Sequence, residues 1–182
     1  MNAVEASLHQ WLEDVVLGLK LCPFAAEPLR AGRVRVCVSD ATGEAALLDE
    51  LQRELQRLAA ASPLELETTL VAIPKMLDAF FEFNDFLDAV NSLLVRGGWE
   101  GEFQVASFHP RYQFEGTQPD DIENHTNRSP VPVLHILREA SVEAALAAHP
   151  DPERIPRDNI RRLRTLSAAQ RQRLLGDIGE VR

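Results

Sequence analysis

Arg33-Val34-Arg35-Val36-Cys37-Val38 alternates, with three valines on one side and Arg33, Arg35 and Cys37 on the other. A period of two is that of a strand with one face against a core. Thr68–Ile73 and Phe103–Phe108 read as two further strands, each stopped by a proline, Pro74 and Pro110. Between the strands the period changes. Thr42 is placed to cap a helix whose inward stripe is Leu47, Leu48, Leu51, Leu55 and Leu58. Leu77–Val95 repeats Phe80, Phe83, Leu87, Val90 and Leu94 inward and is closed by Gly97 and Gly98.

The order strand, helix, strand, helix, strand implies two crossover units, which are right-handed in nearly all folds and leave the strands parallel. Before them, residues 3–20 carry Val4, Leu8, Trp11, Leu12, Val15, Val16 and Leu19 at helical spacing, ended by Gly18 and Pro23. After them, Val133–Arg138 fits either a fourth strand or a helical turn. Ser141 caps a short helix through His149, and Pro150–Pro156 leads to a last helix from Asp158 to about Leu175. The expected fold is α/β: one domain over residues 1–150, with a three- to four-stranded, largely parallel sheet and packed helices. Residues 151–182 form a helical extension packed on it, not an independent domain.

A chain of 182 residues suits one core rather than two. With 45% apolar and 26% charged residues it is neither disordered, fibrous nor a disulfide scaffold. No apolar run approaches the ~20 residues of a membrane helix, so no membrane partner is expected. The stretch Met1–Gln10 lacks a basic and apolar export signal. Two cysteines without such a signal fit a reducing cytoplasm, and a Cys22–Cys37 disulfide is not expected. The net charge of −9 argues against nucleic acid. That charge is uneven: −8 falls through Asn91 and −1 beyond it. Arg154–Arg173 holds seven arginines and one acid, Asp158. A basic helix docked on the acidic face of the third helix, or on a second subunit in a homo-oligomer, accounts for this better than RNA or DNA contact.

The stretch 109–139 differs from the rest. It contains His109, Tyr112, Phe114, Asp120-Asp121-Ile122-Glu123-Asn124-His125-Thr126-Asn127-Arg128-Ser129-Pro130 and His135. About twenty residues of it lack apolar periodicity, which in a small domain marks a functional or disordered loop. The aromatic residues favour an anchored one. If the strands are parallel, their carboxyl ends share one edge, where open α/β sheets bind ligands. That edge would carry Ser39, Asp40, Lys75 and His109 and the start of the polar loop.

Gly18-Leu19-Lys20-Leu21-Cys22-Pro23-Phe24-Ala25 together with Asn124-His125-Thr126-Asn127-Arg128-Ser129-Pro130 resembles the bacterial family known as domain of unknown function 1415. The resemblance spans essentially the whole chain. It implies a single bacterial cytoplasmic domain and no mechanism.

The residues themselves point to a small-molecule enzyme, hydrolase or transferase in type, acting on an anionic metabolite at a pocket built by the 109–139 segment. Arg128, with its planar fork, and Lys75 would bind the anion, helped by Asn124, Asn127 and Ser129. His109 would act as general acid or base, oriented by Asp121. Cys22 would line the pocket or serve as nucleophile; alternatively it is a packing residue. The alternative for Arg128 is a staple to Asp120 or Asp121. The competing function is a non-catalytic ligand-binding or regulatory domain using the same loop. His109, His125, His135, Asp120, Asp121 and Glu123 invite a metal, but no pair has a compact ligand spacing, so no metal is assigned. Nucleotide, flavin and phosphate-loop fingerprints are missing, so no cofactor is expected.

Overall fold

The structure, a computed structural model, describes residues 2–176. In chain order its elements are α1 (Ala3–Trp11), α2 (Ala26–Arg30), β1 (Val34–Val38), α3 (Glu44–Ala60), β2 (Thr68–Ala72) and α4 (Phe80–Gly97). Then come β3 (Phe103–Phe108), β4 (Val133–Arg138), α5 (Glu139–Ala148), α6 (Ile155–Arg164) and α7 (Ala168–Leu175). Short 3₁₀ turns cover Ile122–Asn127 and Pro152–Arg154. Of the expected extension, residues 177–182 lie outside the described residues.

The four strands form one mixed sheet in the order β1-β2-β4-β3. Only β1 and β2 pair in parallel, with Val36 opposite Leu70. Strand β4 lies antiparallel to both neighbours, placing His135 opposite Leu70 and Ala106. The expected largely parallel sheet is therefore corrected to a mostly antiparallel one. Strands β1, β2 and β3 nevertheless run the same way, since two antiparallel steps restore the direction. The cause is the loop after β3, which turns back at the edge where β3 ends and so returns an antiparallel strand. Strand β4 is apolar on both faces, with Leu134 and Ile136 on one and Val133 on the other. It therefore gains more from an interior place between β2 and β3 than from an edge.

Helices α3 and α4 cover one face, where Leu47, Leu51, Leu55, Phe83 and Val90 pack on Val71, Ile73, Leu134 and Ile136. Leu8, Trp11, Leu12 and Val15, together with Leu163 and Leu175, cover part of the other against Leu70, Ala72 and Val133. Each fully buried leucine or phenylalanine contributes about 1.5–3 kcal/mol. Polar fastenings supplement this core. Arg35 Nε and Nη2 donate to the two carboxylate oxygens of buried Glu54, at 2.7 and 3.2 Å. Arg138 Nη2 donates to the carbonyls of Leu58, Ala61 and Leu66, so a cation of β4 caps the carboxyl end of α3.

Element ends depart from expectation for local reasons. Helix α3 begins at Glu44, after an extended Gly43, and not at a Thr42 cap. Helix α4 begins at Phe80, because Leu77 has φ 61° and Ala79 is extended. Residues that fit the helical stripe there form a turn instead. Gly98, at φ 72°, ends α4 in the left-handed conformation that glycine tolerates. The long first helix passes into a π-helical turn, Leu12–Leu17, and a β-carbon at Gly18 would collide with the Asp14 carbonyl. Helix α5 starts at Glu139, ahead of Ser141. The last helix is two: α6 ends at Arg164 with Thr165 as its C-cap, and Ser167 opens α7 through a reciprocal capping box with Gln170. No helix among the described residues is long and apolar enough to cross a membrane.

Candidate functional site

Side chains alternate between the faces of a strand. With Leu70, Ala106 and Phe108 facing away from α3 and α4, so do Thr68, His135 and Leu137. These six side chains floor a cavity of about 1090 Å³. Its walls come from the end of α1 and the turn after it (Trp11, Leu12, Val16), from residues 21–29, from Phe114 to Arg128, from α5, and from Ile155, Asn159 and Ile160. The lining is mostly apolar. The cavity reaches towards Val34, Thr68 and Leu137, at the amino ends of β1 and β2, rather than sitting at their carboxyl edge.

That placement separates the expected site residues. His109 is fully buried on the α4 side, its ring between Phe80 and Phe83 at centroid distances of 5.5 and 5.2 Å. Its Nδ1 accepts the Arg111 N–H at 2.9 Å, so Nε2 donates to the Leu77 carbonyl at 3.1 Å. The imidazole thus holds Leu77 in its left-handed conformation, and burial pushes its pKa down. Asp121 is not its partner; that carboxylate accepts the Gln118 N–H at 2.7 Å. Lys75, half-exposed, pairs with Asp40 at 2.6 Å. Ser129 is buried and donates to Val131 O at 2.6 Å. Asn124 is also buried: its Oδ1 accepts from Phe114 N and Thr117 Oγ1, and its Nδ2 donates to Gln118 O. None of these five residues lines the cavity.

Cys22, Asn127 and Arg128 do line it. Asn127 Nδ2 donates to Ser107 O at 3.4 Å, and its carbonyl accepts the His109 N–H at 3.1 Å. Arg128 does not staple Asp120 or Asp121. Its Nε and Nη2 donate to the carbonyls of Tyr112 and Pro119, and Nη1 donates to His125 Nε2 at 3.3 Å. Asp120 still favours its charge, against a larger cost of burial. Arg128 forms no ion pair among the described residues. A guanidinium carries five N–H donors, so donors remain beyond these three bonds with which to meet a further acceptor.

The cavity's two histidines are neutral. Burial, reinforced by Arg128, lowers the pKa of His125 to about 4. Burial alone takes His135 to about 4. Burial likewise pushes the Cys22 thiol up, against weaker help from the backbone of Phe24 and Ala25. A thiol held protonated is a poor nucleophile. Cys22 should therefore be alkylated by iodoacetamide at neutral pH more slowly than free glutathione, followed by intact-protein mass spectrometry. Faster labelling would restore it as a nucleophile.

The basic helix docks in an unexpected place. Arg162 Nη1 donates to Lys20 O at 2.8 Å, Asn159 Nδ2 to Leu21 O at 2.7 Å, and Arg164 approaches Glu123 at 3.5 Å. Helix α6 therefore ties the 18–25 motif to the 3₁₀ turn Ile122–Asn127, which opens the second motif, along the cavity wall, and does not pack on α4. His135 and Thr68 are the floor residues that sequence reasoning passed over as ligand-binding groups. The available signal was a histidine on the same strand face as Val133 and Leu137. Among the described residues no three His, Cys, Asp or Glu side chains gather as a metal group would require.

Comparison with curated proteins and with solved structures brings no match. A family model does match, over residues 3–173, and takes in both motifs that α6 draws together at the cavity. The chain belongs to the family described as "Protein of unknown function (DUF1415)".

Proposed function

We infer that this domain binds a mainly apolar small molecule bearing one anionic end, and that binding rather than turnover is its task. The observation that carries the reading is the cavity: about 1090 Å³ and mostly apolar, with Arg128 at its wall in no ion pair among the described residues; of the other lining arginines, Arg33 is paired with Glu27 and Glu67, and Arg138 is turned to the carbonyls that end α3. Small-molecule sites commonly enclose about 300–1000 Å³, chiefly apolar with a few polar groups. The apolar body would lie on Leu70, Ala106, Phe108 and Leu137, and the anionic end on Arg128. The hydrolase or transferase reading placed acid–base chemistry on His109, which here faces the other core. It would leave Cys22 as nucleophile, with burial opposing the thiolate. The two free cysteines suit a reducing bacterial cytoplasm.

Decanoate is the test ligand. Isothermal calorimetry should show saturable binding, and Arg128→Gln should weaken it by about tenfold or more, the effect of a charge-assisted hydrogen bond. Decanoate that fails to bind, or that binds Arg128→Gln equally well, overturns the reading.

A further inference from the structure

On the cavity floor one polar group is held in a single orientation and left without a partner. Thr68 Oγ1 donates its only proton to Ile136 O at 2.5 Å. The 2.7 Å contact between Thr68 Oγ1 and His135 Nε2 therefore requires Nε2 to be the donor. A neutral imidazole with its proton on Nε2 has a lone pair on Nδ1. That atom has no hydrogen-bond partner among the described residues, and the half-buried ring leaves it open to the cavity that His135 lines. The ring lies in the sheet's interior, opposite Leu70 and Ala106 and 6.2 Å from the Phe108 ring. No protein donor meets this lone pair, so it is free to accept one from a molecule that enters the cavity.

We propose that His135 Nδ1 is a fixed hydrogen-bond acceptor for the ligand, which therefore carries a hydroxyl or amide N–H donor on its apolar body. The inference rests on the cavity being a ligand site and extends that reading from an anionic end to a second, donor-bearing group. Thr68 is its positioning residue: it selects the tautomer that frees Nδ1. Arg128 and His135 differ in what they select. The guanidinium accepts only an electron-rich end, and the neutral imidazole lone pair only a donor. A molecule with both groups at the right separation is favoured over a simple fatty carboxylate.

The experiment uses the whole chain, nitrogen-15 labelled at histidine, with decanoate, hydroxydecanoates carrying the hydroxyl near the carboxylate, mid-chain or at the far end, and n-octanol. Without ligand, His135 should show the Nε2–H tautomer. At least one hydroxydecanoate should bind about three- to tenfold tighter than decanoate, the worth of one hydrogen bond, and should move the Nδ1 resonance upfield. His135→Phe should erase the difference between that hydroxydecanoate and decanoate. Thr68→Val, which keeps the ring but frees it, should shrink it. If no hydroxyl-bearing probe, octanol included, moves Nδ1, or if His135 carries its proton on Nδ1, the inference is overturned whatever decanoate does. If octanol moves Nδ1 while decanoate does not bind, the acceptor stands and the anionic-end reading falls.

Discussion

Urea unfolding should find the protein about 3 kcal/mol less stable near pH 5 than at pH 7. The source is the pair of half-buried, neutral imidazoles at the cavity, His125 and His135, both with pKa lowered to about 4. In the unfolded chain both return to about 6.5. As pH falls below 6.5 the unfolded state takes up protons that the folded state refuses, so stability is fully present above 6.5 and is lost towards 4. Each proton is worth about 1.4 kcal/mol per pH unit, so at pH 5 about 2 kcal/mol for His135 and about half that for the more solvent-screened His125. His109, also lowered by burial, adds in the same direction. Against a typical total of about 5–15 kcal/mol this is a large share. His135→Leu should remove one proton's worth of the slope. A transition midpoint unchanged between pH 7 and pH 5 would show that these imidazoles are solvated, and would undo the electrostatic description of the cavity.

The same histidines show where the sequence is legible and where it is not. Strand β1 announces itself because its valines and its Arg35 and Cys37 have unlike partners, an apolar core on one face and Glu54 on the other. Strand β4 does not, because an interior strand is apolar on both faces and loses the alternation that would identify it. The common direction of β1, β2 and β3 follows from the crossovers; that β4 would slot between β2 and β3 depends on long-range pairing that no local pattern records. The polar loop was visible by composition, but the role of each polar residue in it was not. His109 follows Phe108, and one residue's step along an extended chain reverses the face, so it points into the α4 core. His135 shares its face with the cavity by the same rule. Hydrogen-bonding capacity alone distinguishes neither.

The 1090 Å³ cavity depends on a wall with little regular structure, and this makes Asn124 the loop's most consequential side chain. From a fully buried position it accepts the Phe114 N–H at 3.0 Å and the Thr117 hydroxyl at 2.9 Å, and donates to Gln118 O at 2.7 Å. It substitutes for the ladder hydrogen bonds that the segment lacks. Asn124→Ala would take this partner from the Phe114 N–H and the Gln118 carbonyl, each at a cost of up to about 1–3 kcal/mol where water does not replace it, while the Thr117 hydroxyl keeps the Phe114 carbonyl at 2.8 Å. Allowing the loop to open and rehydrate, the expected loss is about 3 kcal/mol in the denaturant transition. Asn124→Asp should do no better at neutral pH, since a second carboxylate oxygen would face the Gln118 carbonyl where a donor is needed. Phe114, Thr117, His125 and Arg128 stand on this loop, so stability and binding should fail together. Amide exchange over residues 112–121 should quicken while β2 and β4 stay protected, and decanoate affinity should drop although no cavity-lining side chain has changed. Slow exchange in that loop with a loss below about 1 kcal/mol would mean that the aromatic contacts of Tyr112 with Phe80 and Phe114, at 5.0 and 4.9 Å, hold the wall without Asn124.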